Sequence, residues 1–372
     1  MMISVSNELK MIDKAAFEYS RKILAPEREE NDKFPYGPFF DHLIEKAYDL
    51  DFFHSLLPES LGGIGQSISA ICTILENISR EDSSLGGIIL TTTATHEILL
   101  AADAQGLLKQ LTENADTFKK FMVAYPLFSN PSETNHLCIA EKNKNGYSLS
   151  GAQEFLVLGG ISDHAIIPTK MKGEAEYSFF LVNLNDAGVE KSEPIQSLGL
   201  HSCPAADVSF AKVKGKLIGK QGDGETYFEA MASRLSIAAA AMACGIMKGS
   251  FKEAADYCKK RVQGGRKIID WSEVKMTLAQ MAINLKTAEM VVSSACQAME
   301  NNEPDWQQCA KAAAIHVHEM ACNLTNDGIQ VMGGVGYMKD FGQEKRFRDA
   351  KHIQAVFGLT PMKKLRYLES IV

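Results

Sequence analysis

The sequence predicts an α+β protein in three consecutive parts: an N-terminal helical domain (1–121), a small middle β domain (122–225) and a C-terminal four-helix bundle (226–372). Three observations predict it. Up to about residue 125, apolar residues return at three- and four-residue spacing, as amphipathic helices require. From about 122 to 220 the spacing shortens towards two, the period of a strand. After Gly224, four long apolar-periodic segments run to the end of the chain.

In the first part, Met11, Ala15, Phe17 and Ile23 with Leu24 make one expected helix face, and Phe40, Leu43, Ile44 and Ala47 another. Leu57-Pro58-Glu59-Ser60-Leu61-Gly62-Gly63-Ile64-Gly65 is a proline turn with three glycines. Helices are expected from about Ser67 and about Leu90. In the second part, Asn145-Gly146 is a hairpin signal between Leu137-Cys138-Ile139-Ala140 and Tyr147-Ser148-Leu149. Further strands are expected at Phe155-Leu156-Val157-Leu158, Ala165-Ile166-Ile167, Tyr177 to Val182, Val208-Ser209-Phe210 and Leu217-Ile218. In the third part, segments 226–262, 272–300, 305–332 and 343–370 are separated by breaks near Gly264-Gly265, Pro304 and Gly333-Gly334. Four helices of that length joined by short turns make a bundle.

Composition narrows the function classes. The chain is 45% hydrophobic and 23% charged, ordinary for a globular protein with a large core. A net charge of −7 argues against a nucleic-acid binder that tracks phosphates, although local basic clusters still suit a phosphorylated small molecule. The eight cysteines include no C-x-x-C pair, which reads as a reducing compartment without disulfides or zinc. The N-terminus lacks a basic region before a long apolar run, so no signal peptide is expected. Ile237 to Met247 is apolar but short for a membrane span, and no other stretch approaches one. The expectation is a cytoplasmic protein. His316 and His318 lie two apart on a helix and face different ways, so no metal site is expected.

Gln330-Val331-Met332-Gly333-Gly334-Val335-Gly336-Tyr337 combines a helix end with paired glycines, which let a backbone approach a ligand and offer N–H groups to an anion. The following run from Glu344 to Lys351 carries opposite charges at i, i+4, as in Glu344 and Arg348, and reads as inter-helix anchoring. Together with Pro58-Glu59-Ser60-Leu61-Gly62-Gly63-Ile64-Gly65, Leu198-Gly199-Leu200-His201-Ser202, and Arg261-Val262-Gln263-Gly264-Gly265 before Leu278-Ala279-Gln280-Met281, these motifs resemble the acyl-CoA dehydrogenase family over essentially the whole chain.

The resemblance implies an FAD between the β domain and the bundle, and a homo-oligomer or a hetero-oligomer with a paralogue. It implies that Arg261, Gln330, Gly333 and Gly334 reach the FAD of the neighbouring subunit. Ser129, Phe155 and Val157 fall where the family contacts its own FAD. The family's substrate is an acyl thioester, here of coenzyme A or an acyl-carrier protein, and electron-transfer flavoprotein is the corresponding acceptor.

The chain departs from the family where its chemistry belongs. Counting on from Arg348-Asp349-Ala350-Lys351, Phe357 stands at the position of the carboxylate base, and phenylalanine accepts no proton. The alternative base position, on the first bundle helix, falls at about Leu235. The flavin loop is shortened to Ser129-Asn130-Pro131-Ser132-Glu133, and Val157 replaces a hydroxyl, a loss of about 1 kcal/mol for one hydrogen bond. His96 and Glu97 are the replacement candidates, provided either faces the flavin. Three readings follow: a flavoprotein oxidoreductase with altered or relocated base chemistry, which the sequence favours; a catalytically silent subunit that lends its C-terminal domain to a partner's FAD; or a non-catalytic acyl-thioester binder.

Overall fold

The N-terminal helices form where the three–four spacing holds, but their buried faces are chosen by tertiary partners. The computed structural model describes residues 6–33, 41–113, 115, 117–144 and 146–372; Phe40, Asn145 and the first five residues lie outside the described residues. Helix α1 (Asn7–Tyr19) starts at Ser6, whose hydroxyl accepts from the Leu9 N–H at 3.1 Å. Its buried stripe is Ala16 and Tyr19 with Ile12 beside them, while Met11 is 73% and Phe17 39% exposed, against expectation. Two adjacent stripes compete there. The Tyr19 side goes inward because its hydroxyl donates to Leu43 O at 2.7 Å and its ring packs edge-on against Phe52.

Helices α2 (Arg28–Asn31), α3 (Asp41–Asp49), α4 (Ile68–Ser79), α5 (Ser83–Ala101), α6 (Gln105–Glu113) and α7 (Phe118–Phe121) complete this region. The helix expected from about Leu90 starts earlier, after the cap Asp82, whose carboxylate accepts from the Ser84 N–H. Helix α5 is buried nearly all round despite its threonines. Thr91, Thr93 and Thr95 return their hydroxyls to the carbonyls of Gly87, Ile89 and Thr92, so few polar atoms are stranded.

Strands β1 (Val123–Ala124), β2 (Cys138–Asn143), β3 (Gly146–Val157), β4 (His164–Met171), β5 (Tyr177–Asn183), β6 (Val189–Lys191) and β7 (Ala205–Ile218) follow. Strand β4 pairs with both β2 and β5, so the path β4–β2–β3–β7–β5 closes on itself as a small barrel, with β1 and β6 outside the ring. Two pairs of expected strands merge into the long β3 and β7, and β6 was not anticipated. Register shifts in the β3–β7 ladder between Leu149 and Gly151 and between Gln153 and Leu156 put Phe155 at φ +50°.

The last third is helical: α8 (Gly224–Lys260), a hairpin of β8 (Val262–Gln263) and β9 (Arg266–Lys267), α9 (Ser272–Glu300), α10 (Trp306–Met332), α11 (Gln343–Ile353) and α12 (Thr360–Glu369). The fourth expected bundle helix is therefore two helices. It breaks around Phe357 and Gly358, at φ +60° and +118°, values no helix contains. Helix α8 corrects another expectation: it is long and apolar enough to cross a membrane by length and composition, but 83% of its apolar window is buried by its neighbours.

Candidate functional site

Phe357 is held in place by the barrel. Its N–H donates to Leu127 O at 2.8 Å, and the Leu359 N–H donates to Glu133 Oε2 at 3.0 Å. Glu133 Oε1 accepts in turn from Arg366 Nη1 at 3.1 Å. These bonds zip the segment 127–133, which contains the loop Ser129-Asn130-Pro131-Ser132-Glu133, onto the break between α11 and α12. Phe357 is left 4% exposed, and Val157 is fully buried.

The neighbouring polar groups are already engaged. The Ser129 hydroxyl donates to Pro126 O at 3.1 Å, and the Phe155 N–H donates to Asp207 Oδ1 at 2.9 Å. Val157 and Tyr125 exchange backbone hydrogen bonds at 3.1 and 3.2 Å. The Phe128 ring lies edge-on to His352 at 4.4 Å and to Phe155 at 5.9 Å, and burial pushes the His352 pKa down. Beside Phe357 there is a cavity of about 40 Å³, lined by Asn130, Phe228, Ala232 and Lys363 among others. Sites for drug-sized ligands run to about 300–1,000 Å³. Lys363, missed in the sequence, donates to Gln354 O at 2.7 Å and Val356 O at 3.0 Å. Burial pushes its pKa down to about 8.

Neither replacement base reaches this place. His96 is buried edge-on against Phe121 at 5.1 Å, and burial lowers its pKa to about 3, so it is a neutral core imidazole. Glu97 lies 3.5 Å from Arg234 Nε; burial raises its pKa and Arg234 opposes the rise. Glu97, Ala230 and Arg234 line a separate cavity of about 550 Å³. Phe228, Ala232 and Ser236 of α8 line the Phe357 cavity. At about 100° per residue these two sets lie on roughly opposite sides of the helix, so α8 separates Glu97 from Phe357. Leu235, the other base position, is fully buried.

The charged helix is a clamp. Lys345 Nζ sits 2.9 Å from Asp82 Oδ1 and 2.7 Å from Asp349 Oδ2, all three buried. Arg348 bonds Glu344 at 2.6 and 3.0 Å and Asp32 Oδ2 at 2.5 Å, and His201 Nδ1 meets Asp32 Oδ1 at 2.8 Å. Burial pushes Asp32 up, but the His201 hydrogen bond, then Lys345 and Arg348, outweigh it and hold the carboxyl well below the usual range. The Leu200 N–H donates to Asp349 Oδ1 at 2.8 Å, tying the 198–201 passage to the same helix. Spacing in the sequence gave the Glu344–Arg348 pair; Asp32, 316 positions away from Arg348, carried no signal there.

At the other end of the bundle, α8 stops at Lys260 and Arg261 is extended and exposed. Cys258 Sγ lies 4.0 Å from Val331 O, bringing the ends of α8 and α10 together. Gln330, Gly333 and Gly334 are exposed there. Gly333 caps α10 through its N–H at φ +63°, a conformation that favours glycine. A Cβ built at Gly334 meets nothing within 4 Å, so the backbone edge is open.

Comparison with known proteins accounts for both ends. The model of the acyl-CoA dehydrogenase N-terminal domain matches residues 6–106, and that of the acyl-CoA dehydrogenase C-terminal domain matches 222–369. The chain belongs to the acyl-CoA dehydrogenase family. It is 29% identical to an acyl-CoA dehydrogenase of Bacillus subtilis, covering 97% of each chain. It is 25% identical to the caffeyl-CoA reductase–Etf complex subunit CarC of Acetobacterium woodii, again covering 97% of each. The fold matches butyryl-CoA dehydrogenase from Megasphaera elsdenii with a TM-score of 0.89 over 100% of both chains, at 21% identity.

Members of the acyl-CoA dehydrogenase family are flavoprotein oxidoreductases, and the FAD their fold implies can be tested against the residues present. On the side of Ser129, Phe155 and Val157 they fit poorly: Val157 offers no hydroxyl and is fully buried, and the Ser129 hydroxyl and the Phe155 N–H are already engaged within the chain. On the side of Arg261, Gln330, Gly333 and Gly334 they fit: an exposed guanidinium adjoins an unobstructed backbone edge, the chemistry that holds a diphosphate.

Proposed function

We propose that this chain is the non-catalytic member of an acyl-CoA dehydrogenase-type flavoprotein assembly. It presents Arg261, Gln330, Gly333 and Gly334 to an FAD held by a partner subunit that carries its own base. The single observation behind this reading is the contrast between the polar groups of Ser129, Phe155 and Val157, all engaged within the chain, and the open backbone edge at Gly334. The assembly acts on an acyl thioester of coenzyme A or of a carrier protein, and its electrons pass to an electron-transfer flavoprotein. The likeness to an Etf-complex subunit supports that acceptor. The rival reading, a flavoenzyme whose base has moved to Glu97, would need its substrate on the face of α8 away from Phe357.

Purified alone, the chain should show no stoichiometric flavin absorbance. Co-expressed with a base-carrying family subunit from the same genome, it should form a hetero-oligomer with half-stoichiometric FAD. Arg261→Gln in this chain should then lower the flavin content of that complex. A yellow homo-oligomer with one flavin per chain would sink the proposal. Phe357→Glu should confer no dehydrogenase activity on the isolated chain, because a base without a bound flavin has no acceptor for the hydride.

A further inference from the structure

A concentration of positive charge lies away from Phe357, in a cavity of about 530 Å³ where the π-helical turn Ser20–Leu24, the helix α2 and the end of α4 meet α8 and α11. Seven cationic and three anionic residues line it, in a chain whose net charge is −7. Such a reversal focuses a positive field into a concave space.

The arginines are under-neutralised. Arg21, Arg28 and Arg80 share one carboxylate, Glu81, at 3.8, 3.6 and 3.9 Å, each longer than a hydrogen bond. Arg346, 5% exposed, pairs with Glu253 through Nη1. The Nε atoms of Arg28, Arg80 and Arg346 are all buried without a hydrogen-bond partner. A Cβ built at Gly342 would stand 2.6 Å from Arg28 Cζ and 2.9 Å from Arg346 Nη1, so these two guanidinium groups crowd the same point. Arg346 also donates through Nη2 to Arg80 O at 3.4 Å, so what remains unbalanced is the mutual repulsion of two adjacent guanidinium groups lining one cavity, which a bridging oxyanion relieves. The same cavity is lined by Tyr257 and Phe341, whose rings meet edge-to-face at 5.8 Å and offer an apolar wall.

We propose that this cavity binds a diphosphate carried on a nucleoside, with Arg28, Arg80 and Arg346 holding the phosphates and Tyr257 with Phe341 facing the base. Arg261 stands at its rim, but Gln330, Gly333 and Gly334 do not line it, so the site adjoins the proposed FAD edge and is distinct from it.

Isothermal titration of the full chain with ADP, inorganic pyrophosphate and adenosine tests this. ADP should bind saturably, pyrophosphate more weakly and adenosine not at all. Arg28→Gln should weaken ADP about tenfold or more, the worth of one charge-assisted hydrogen bond or two. Lys252→Gln, at the more exposed rim, should weaken it less and provides a second reading if Arg28→Gln misfolds. No ADP binding at millimolar concentration, or binding indifferent to both substitutions, would overturn the site. Equal affinity for pyrophosphate and ADP would overturn the nucleoside part. Arg28→Gln should leave the flavin content of the hetero-oligomer unchanged, whereas Arg261→Gln lowers it, so failure here is distinguishable from failure of the proposed function.

Discussion

Two regions of this molecule are each expected to meet a dinucleotide, one the chain's own and the other a neighbour's, and they are built in opposite ways. Around Phe357 the barrel and the bundle are closed on each other. Leu127, Glu133 and Asp207 engage the N–H groups of Phe357, Leu359 and Phe155, and aromatic rings pack between them. At the ends of α8 and α10 the backbone is bare, an arginine is exposed and Gly334 faces open space. The contrast teaches that Phe357 belongs to a closed, hydrogen-bonded junction and is more than one apolar side chain facing a cleft. The wall at Phe357 is tied down by hydrogen bonds of its own, so restoring a carboxylate there would change one side chain and leave the closure in place.

The largest effect that tests the contrast should come from the clamp behind the closed side. Arg348→Ala strands Glu344 and leaves Asp32 paired with His201, both carboxylates mostly buried, and should cost about 3–5 kcal/mol, the usual penalty for breaking a buried pair from one side. Arg261→Ala removes an equal charge from the open edge and should change stability by less than about 0.5 kcal/mol. Urea denaturation of both variants measures the pair. Comparable losses would mean that Arg261 is structural, and the open edge would no longer read as a surface awaiting a ligand.

A smaller difference is expected between two glycines. A Cβ at Gly199 would lie 2.6 Å from Arg348 O and 2.8 Å from Asp349 N, both backbone atoms that cannot swing aside. Gly199→Ala should therefore cost about 1–3 kcal/mol by overpacking the junction of barrel and α11. Gly334→Ala meets nothing and should stay within about 0.5 kcal/mol. Thermal melts of the two variants would separate them; equal shifts would deny that the two regions differ in packing.

What the sequence revealed follows the range of each signal. Fold and motif order were legible, because helical and strand periods are local and the glycine turns announce themselves. Counting from Arg348 puts Phe357 at the expected base position, an argument of order along the chain alone. The closure was not legible, because it depends on Glu133 meeting Leu359 and Arg366 across more than two hundred residues. The split of the last bundle helix was also hidden: Phe357 at positive φ has no local cue, and only Gly358 beside it hints at a break. His96 and Glu97 lie away from Phe357 for a rotational reason. They follow each other on α5, so one points to Phe121 and the other to Arg234, and α8 stands between Glu97 and Phe357.

The smallest effect concerns the cation enclosed on the closed side. Lys363 has its pKa lowered to about 8, burial being the main cause and Glu133 opposing it. In the unfolded chain a lysine titrates near 10.4. Below about pH 8 the ammonium is charged in both states, so its desolvation cost is fully present. Between about pH 8 and 10.4 the unfolded chain binds more protons than the folded one, and stability from this group rises with pH. Because Lys363 is only partly buried by surface area and donates to two carbonyls, the gain should be about 1–2 kcal/mol, less than the full shift would give. Lys363→Met should flatten that slope, whatever it does to stability at pH 7, where the freed carbonyls of Gln354 and Val356 offset the relief. Denaturation midpoints from pH 7.5 to 10 for wild type and variant give the comparison. An unchanged slope would place the ammonium in solvent, and the closed side would then be more open than its hydrogen bonds imply.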